Sequence, residues 1–128
     1  MYVKKLKLSG FRNYKSEEFE FLPDTNILYG NNAQGKTNAL EALYIFSIGK
    51  SFRTQQDREL INFNDNFTRL SVEYEDNQRT NEIEIVIRRD RKKQIKINDI
   101  PISKMGDLIG KFTVILFSAH SRLFFGII

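Results

Sequence analysis

Cysteine and tryptophan are absent from this sequence of 128 residues, and histidine occurs once, at His120. The lack of cysteine excludes disulfides, thiol catalysis and thiolate-bound metal, and it suits a reducing compartment. One histidine argues against a zinc centre or a serine–histidine triad. No apolar run approaches the roughly 20 residues of a membrane span. Lys4, Lys5 and Lys7 interrupt the first apolar stretch, which a signal peptide would not tolerate. There is no internal repeat and no low-complexity linker. The expectation is a soluble, cytoplasmic chain.

Apolar residues make up 41% of the chain and phenylalanine alone contributes 11 positions, enough for a core, so disorder is not expected. The length suits one domain. The phenylalanines at 11, 19, 21, 63, 67, 112 and 117 are read most simply as core.

One stretch carries chemistry. Gly30-Asn31-Asn32-Ala33-Gln34-Gly35-Lys36-Thr37 fits Gly-x-x-x-x-Gly-Lys-[Ser/Thr], the phosphate-binding loop. A chain this long meets that pattern by chance roughly once in 200. The context agrees with it. The apolar run 26–29 reads as a buried strand before the loop, and 37–46 is rich in helix formers after it. Glycines let the backbone close around a phosphate with its N–H groups inward. The free N–H groups and dipole of the helix start favour an anion. Lys36 would neutralise the β/γ-phosphates, and the Thr37 hydroxyl would hold Mg²⁺. The plainer alternative is a glycine-rich strand-to-helix turn with an exposed lysine.

Around the loop, 3–8 reads as a strand with Leu6 and Leu8 inward, broken by Gly10, then Phe11-Arg12-Asn13-Tyr14 as a turn and 18–21 as its antiparallel partner. The helix after the loop is apolar almost all round, so it should be buried. Glu41 is the exception to that pattern, and Gly49 is the stop. Lys50-Ser51-Phe52-Arg53 is a basic connection. Thr54 with Asp57 fits a capping box for a brief helix. Alternation of Leu70, Val72 and Tyr74, then of Ile83, Ile85 and Ile87, then of Ile95 and Ile97, predicts an antiparallel meander with one wet face. Asn98-Asp99 is a turn signal, and Pro101 marks an edge. Ser103 can cap a short helix over 104–109 that Gly110 ends, and 113–117 reads as a buried strand. The fold class is α/β with an α+β mix: a strand–loop–helix core beside an antiparallel meander. Leu123-Phe124-Phe125-Gly126-Ile127-Ile128 is apolar and unlike an ordinary domain end, which suggests a single partial lobe.

These residues resemble the RecF family of SMC-type, ABC-like ATPases. The likeness rests on Phe11-Arg12-Asn13-Tyr14, on the loop extended through Asn38 to Leu40-Glu41-Ala42, and on Gly49-Lys50-Ser51-Phe52-Arg53-Thr54. Ile97-Asn98-Asp99 stands where the family has Ile-Asn-Gly. Residues 114–118 are similar to the family strand that leads into Ser-Pro-Glu-Asp, but Ala119-His120-Ser121 departs from it, so 119–128 falls outside the family pattern. The resemblance implies an ABC/SMC-like lobe that binds ATP and Mg²⁺, with Arg12 and Asn13 near the nucleotide. It implies DNA repair and replication, the response to DNA damage (SOS response), and clamping on DNA at gaps and single-strand/double-strand junctions. The clamp would act with RecR and RecO to load a recombinase, through an ATP-dependent homodimer. It also implies that the signature motif and the Walker B acids lie outside this pattern of residues. Binding with little hydrolysis is therefore expected.

The net charge of +4 is local. Residues 88–96 hold six basic residues and one acid, a charge of +5, so the remainder is −1. Arg88, Arg89, Arg91, Lys92 and Lys93, together with Arg53, are candidates for DNA contact, with Lys50 a weaker one. No aromatic residue interleaves the run, so backbone contact without base stacking is expected. A solvated hairpin tip is the plainer alternative. At the level of the whole chain, a DNA-binding module whose loop is merely inherited remains the alternative to an ATP-controlled one. A small-molecule kinase is a third option, although no acceptor site is recognisable.

Overall fold

The computed structural model describes residues 2–21, 27–28, 33–111, 114–119 and 122–127, with side chains at 2–21 and 37–111. Alternating patterns in the first and middle thirds of the chain meet in one sheet. Strands β1 (Tyr2–Phe11), β2 (Tyr14–Glu20), β4 (Phe67–Asp76), β5 (Arg79–Arg88), β6 (Gln94–Ile97) and β7 (Ile100–Ile102) form an antiparallel sheet of order β2-β1-β4-β5-β6-β7. The pairing of β1 with β4 joins the N-terminal hairpin to the meander. β3 (Ile27–Leu28), β8 (Val114–Ala119) and β9 (Arg122–Ile127) form a second sheet of order β3-β9-β8. Residues 122–127, within the stretch expected to fall outside the family pattern, pair as a strand with both β8 and β3.

The helix α1 (Ala33–Ile48) packs on β4 of the larger sheet and on β8 and β9 of the smaller. It starts four residues before Thr37, inside the loop pattern, and ends at the expected stop, Gly49. Ala39, Leu40, Ala42, Leu43, Ile45 and Phe46 are buried, as an all-round apolar helix between two sheets requires. They join Leu6, Leu8, Leu70, Val72, Ile83 and Ile85 in one core. Gly49, at φ 83, ends the helix with its N–H on the Ile45 carbonyl at 2.7 Å. Among the described residues, no helix is long and apolar enough to cross a membrane.

Two expected caps do not form. The segment after the connection is a 3-10 turn, Asp57–Leu60, preceded by Gln56 with no side-chain cap. Thr54 instead accepts from the Gln56 N–H and donates to Glu59, while Asp57 faces Lys93. Ser103 caps nothing: the second 3-10 turn is Met105–Asp107, preceded by Lys104. The phenylalanines also divide. Phe11 is buried, and Phe19 and Phe21 are packed against the core, but Phe67 is 42% exposed and Phe63 is 94% exposed. Hydrophobicity predicted burial for these two, and their places, Phe63 on the loop before β4 and Phe67 at the first residue of β4, override it. The side chains of Phe112 and Phe117 lie outside the described residues, as do the turn at 23–25 and His120.

The turns are the sequence's clearest local signals. Asn98 and Asp99 link β6 to β7 with φ 50 and 66, both left-handed. Asn98 suits that region and binds Glu82 through backbone and side chain. Asp99 takes the same left-handed region with a Cβ and carries the strain that goes with it. Asp99→Gly is expected to stabilise the fold by about 0.5–1 kcal/mol, after the greater freedom of glycine in the unfolded chain is counted. A rise of a few degrees in Tm checks it.

Candidate nucleotide site

The phosphate-loop pattern sits where a strand enters a helix: β3 ends at Leu28 and α1 begins at Ala33. Gly30, Asn31 and Asn32 lie outside the described residues, and of Ala33, Gln34, Gly35 and Lys36 the backbone alone is described. No acidic residue stands in the first turn of α1, so nothing there opposes an anion. Thr37 is half-buried in the second turn.

The next turns of α1 carry an organised polar cluster. Asn38 and Glu41 are three residues apart, so both lie on one face, about 8 and 12 Å along the axis from the helix start. Both are fully buried. Arg12 grips Glu41 bidentately, Nε to Oε1 at 2.6 Å and Nη2 to Oε2 at 2.8 Å. The Ser51 hydroxyl donates to Oε2, and Arg53 Nη1 lies 3.5 Å from Oε1. Arg53 Nη1 donates to Asn38 Oδ1 at 2.8 Å, and Asn38 Nδ2 donates to Asn13 Oδ1. The cluster therefore joins Arg12 and Asn13, Asn38 and Glu41, and Ser51 and Arg53. Among the described residues no buried side-chain polar atom lacks a partner.

Backbone geometry aims Arg12. It occupies the two-residue turn between β1 and β2 at φ 49, a strained value for a residue with a Cβ. Its N–H donates to the Leu60 carbonyl at 2.8 Å, and its own carbonyl accepts from Asn62 Nδ2 at 2.7 Å. Hydrogen bonding to Glu41 raises the Arg12 pKa above its ordinary value, against the opposing effect of partial burial, so the guanidinium is held charged. Two arginines meet one carboxylate, so the three side chains together carry a net positive charge. Such a cluster can present guanidinium N–H groups to an anion, because one carboxylate cannot take all the donors of two forks.

Sequence reasoning placed Arg12 and Asn13 at the nucleotide site, and the structure brings both to α1. Arg53, expected at nucleotide or DNA, joins the same cluster. Asn38, Glu41 and Ser51 were missed as functional residues. The usable signal was Glu41 itself, a lone charge on an otherwise apolar helix, with arginines in both flanking motifs. Lys50 is exposed. Among the described residues no group of three or more histidine, aspartate or glutamate side chains could hold a metal.

The basic run is less uniform than its composition. Arg89 Nη2 donates to the carbonyls of Asn62 and Asp65 at 3.3 and 3.1 Å. Arg88 donates to Gln94 at 3.0 Å and lies over the Phe67 ring at 5.6 Å. Lys93 is bound to the Gly49 carbonyl and, at 2.9 Å, to Asp57. Lys93 is therefore a strap across the end of α1. Arg91 and Lys92 are exposed, and Arg91 Nε lies 4.0 Å from Asp90. The expectation that no aromatic residue accompanies the run holds along the sequence and not in space, since Phe67 pairs with Arg88 across β4 and β5.

A family model described as the RecF/RecN/SMC N terminal domain matches residues 2–118. Curated relatives include the DNA replication and repair protein RecF of Alkaliphilus oremlandii, 45% identical over 118 residues, and that of Clostridium kluyveri, 48% identical over 118 residues. Each match covers 92% of this chain and 32% of the relative, so the chain spans about a third of their length. Among solved structures, the recombination mediator protein RecF-ATPrS in the RecFOR pathway superposes with a TM-score of 0.83 at 33% identity, covering 91% of this chain and 32% of that one. The SMC head domain from Thermotoga maritima gives a TM-score of 0.66 at 20% identity, over 88% of this chain and 43% of that one, and shares the fold.

Proposed function

This chain belongs to the RecF/RecN/SMC N-terminal domain family, and on that premise we propose that it is the ATP-binding lobe of a RecF-like DNA replication and repair protein. The observation that carries the reading is the meeting of Arg12-Asn13, Asn38-Glu41 and Ser51-Arg53 on the helix that the phosphate loop opens. Solved relatives described as RecF-ATP and RecF-ATPrS support ATP as the ligand.

The residues fit Mg-ATP. Backbone N–H groups of 30–37 and the start of α1 would hold phosphate oxygens. Lys36 would neutralise the β/γ-phosphates, and the Thr37 hydroxyl would hold Mg²⁺. Arg12 and Arg53 offer the N–H groups that Glu41 and Asn38 do not take, with Asn13 beside them. When bound, ATP with its magnesium ion supplies the energy and the charge for a switch between two association states. Hydrolysis also needs a Walker B acid and a group that orients water, so these 128 residues bind nucleotide with little turnover. In the whole protein the lobe acts as half of an ATP-dependent homodimer. That protein clamps DNA at gaps and junctions and works with RecR and RecO to load a recombinase. DNA affinity that differs between the ATP-bound and nucleotide-free states is the mark of such a switch.

A nucleotide titration with and without DNA tests this reading. Lys36→Ala is expected to weaken ATP binding about 10- to 100-fold, the worth of a charge-assisted contact, while the unfolding midpoint stays within a degree or two. Unchanged nucleotide affinity in Lys36→Ala would refute it. ATP-independent DNA binding would favour the simpler reading, a DNA-binding module with a vestigial loop.

A further inference from the structure

Phe63 is the most open of the large apolar side chains among the described residues. It stands on the loop between the first 3-10 turn and β4, and that loop is fixed. The Asn62 N–H donates to the Gly10 carbonyl at 2.7 Å, and the Asp65 N–H to the Asn62 carbonyl at 2.9 Å. The Asn64 N–H donates to Asn62 Oδ1 at 3.0 Å, and Arg89 binds the loop's carbonyls from the outside. A ring kept in water by a well-bonded loop forgoes the burial free energy that Phe11 gains. It presents a flat face at a fixed place.

The neighbourhood is cationic and aromatic. Beside the loop that Arg89 binds, Asn66, Phe67, Arg88, Arg89, Asp90 and Arg91 line one shallow depression, three arginines against one carboxylate, with Arg88 over the Phe67 ring. Lys92 continues the exposed charge. The occupant that satisfies both features has stackable faces and a negative backbone. Unpaired nucleotides have both, whereas a duplex keeps its base faces stacked and offers phosphates alone. An acidic protein segment would meet the arginines but would not call for a bare phenyl face.

We propose that residues 62–67 and 88–92 form a platform for single-stranded nucleic acid, with a base stacked on Phe63 and phosphates held by Arg91 and Lys92. The proposal deepens the DNA reading given above and rests on it. Phosphate contact by the basic run belongs to that reading; the stacking site and the preference for unpaired strands are new.

The absence of tryptophan supplies the probe. Phe63→Trp carries a single indole, and its fluorescence is expected to be quenched when an oligothymidylate of about 20 nucleotides, longer than one stacking site needs, is added. Its affinity should match the parent's by anisotropy. Phe63→Ala is expected to weaken single-strand binding about 10-fold and to leave blunt duplex binding within about twofold, since a duplex meets the platform through phosphates. The Arg91→Ala, Lys92→Ala pair should weaken both and flatten the salt dependence. Parent-like single-strand affinity in Phe63→Ala, equal loss on duplex, or an unquenched indole would overturn the platform while leaving duplex and ATP binding intact. A changed oligomeric state in Phe63→Ala with unaltered DNA affinity would overturn it in favour of a protein interface. Failure of the parent to bind either DNA would overturn both the platform and the DNA reading, and ATP titration of the same samples reports on the nucleotide reading separately. Thermal unfolding of each variant confirms that an exposed position was changed.

Discussion

Glu41→Ala is expected to cost this chain about 3–5 kcal/mol of stability, the range found when one partner of a buried ion pair is removed. Glu41 is fully buried, and the side chains facing it, Arg12 and Arg53, are only 20% and 26% exposed. Without the carboxylate, two guanidiniums face each other across a site from which water is largely excluded, and the Ser51 hydroxyl loses its acceptor. Glu41→Gln separates charge from shape. It keeps the volume and one acceptor oxygen but turns an NH₂ toward an arginine, so most of the loss should persist. Denaturant unfolding of Glu41→Ala, Arg12→Ala and the double variant measures the coupling; the second change should cost less in the double variant than alone. A loss under 1 kcal/mol in Glu41→Ala would show that the cluster is not stabilising in this way. Nucleotide affinity should fall in Glu41→Gln even at temperatures where it remains folded, because Arg12 and Arg53 lose the group that aims them.

The second large effect is expected at Gly10. Its φ of 65 lies in the left-handed region, and a Cβ built there falls 2.8 Å from the Phe67 carbonyl oxygen and 3.0 Å from Asp65 Oδ2. Left-handed strain contributes about 1–2 kcal/mol, and the clash with backbone adds about as much again. Gly10→Ala is therefore expected to lose about 2–4 kcal/mol, read from the denaturation midpoint. Gly106→Ala is the control. Nothing lies within 4 Å of its Cβ position, and the change should stay within about 0.5 kcal/mol. The Gly10 variant should also disturb binding chemistry, because the Gly10 carbonyl holds Asn62, and Asn62 holds the carbonyl of Arg12.

What could be read from sequence was what is encoded within a few neighbouring residues. Leu70, Val72 and Tyr74 alternate with polar residues and do form a strand with one buried face. The apolar run after Lys36 does form a buried helix ending at Gly49. Three features were not legible, each for a physical reason. The union of β1 with β4 joins segments separated by the whole phosphate-loop pattern and α1, and no local pattern specifies the partner of a strand. Glu41 stood out as an exception to an apolar pattern, but its partners come from segments 29 residues before it and 10 after it. Phe63 and Phe67 were assigned to the core because hydrophobicity alone cannot distinguish a ring that fills a cavity from one held in water. For the caps, side chains of the right type at Thr54 and Ser103 lay next to turns too short to need them.

The pairing of β1 with β4 has a consequence for how the chain is made. β1 cannot complete its ladder until β4, which ends at residue 76 of 128, has left the ribosome. The phosphate loop, α1 and the connection through Arg53 all lie in the intervening stretch. That stretch is a large loop whose ends must be brought together before the sheet rewards the closure. Arg12 and Asn13 are emitted early and wait for Asn38, Glu41 and Arg53, so the polar cluster on α1 assembles late, by the docking of pieces synthesised at different times.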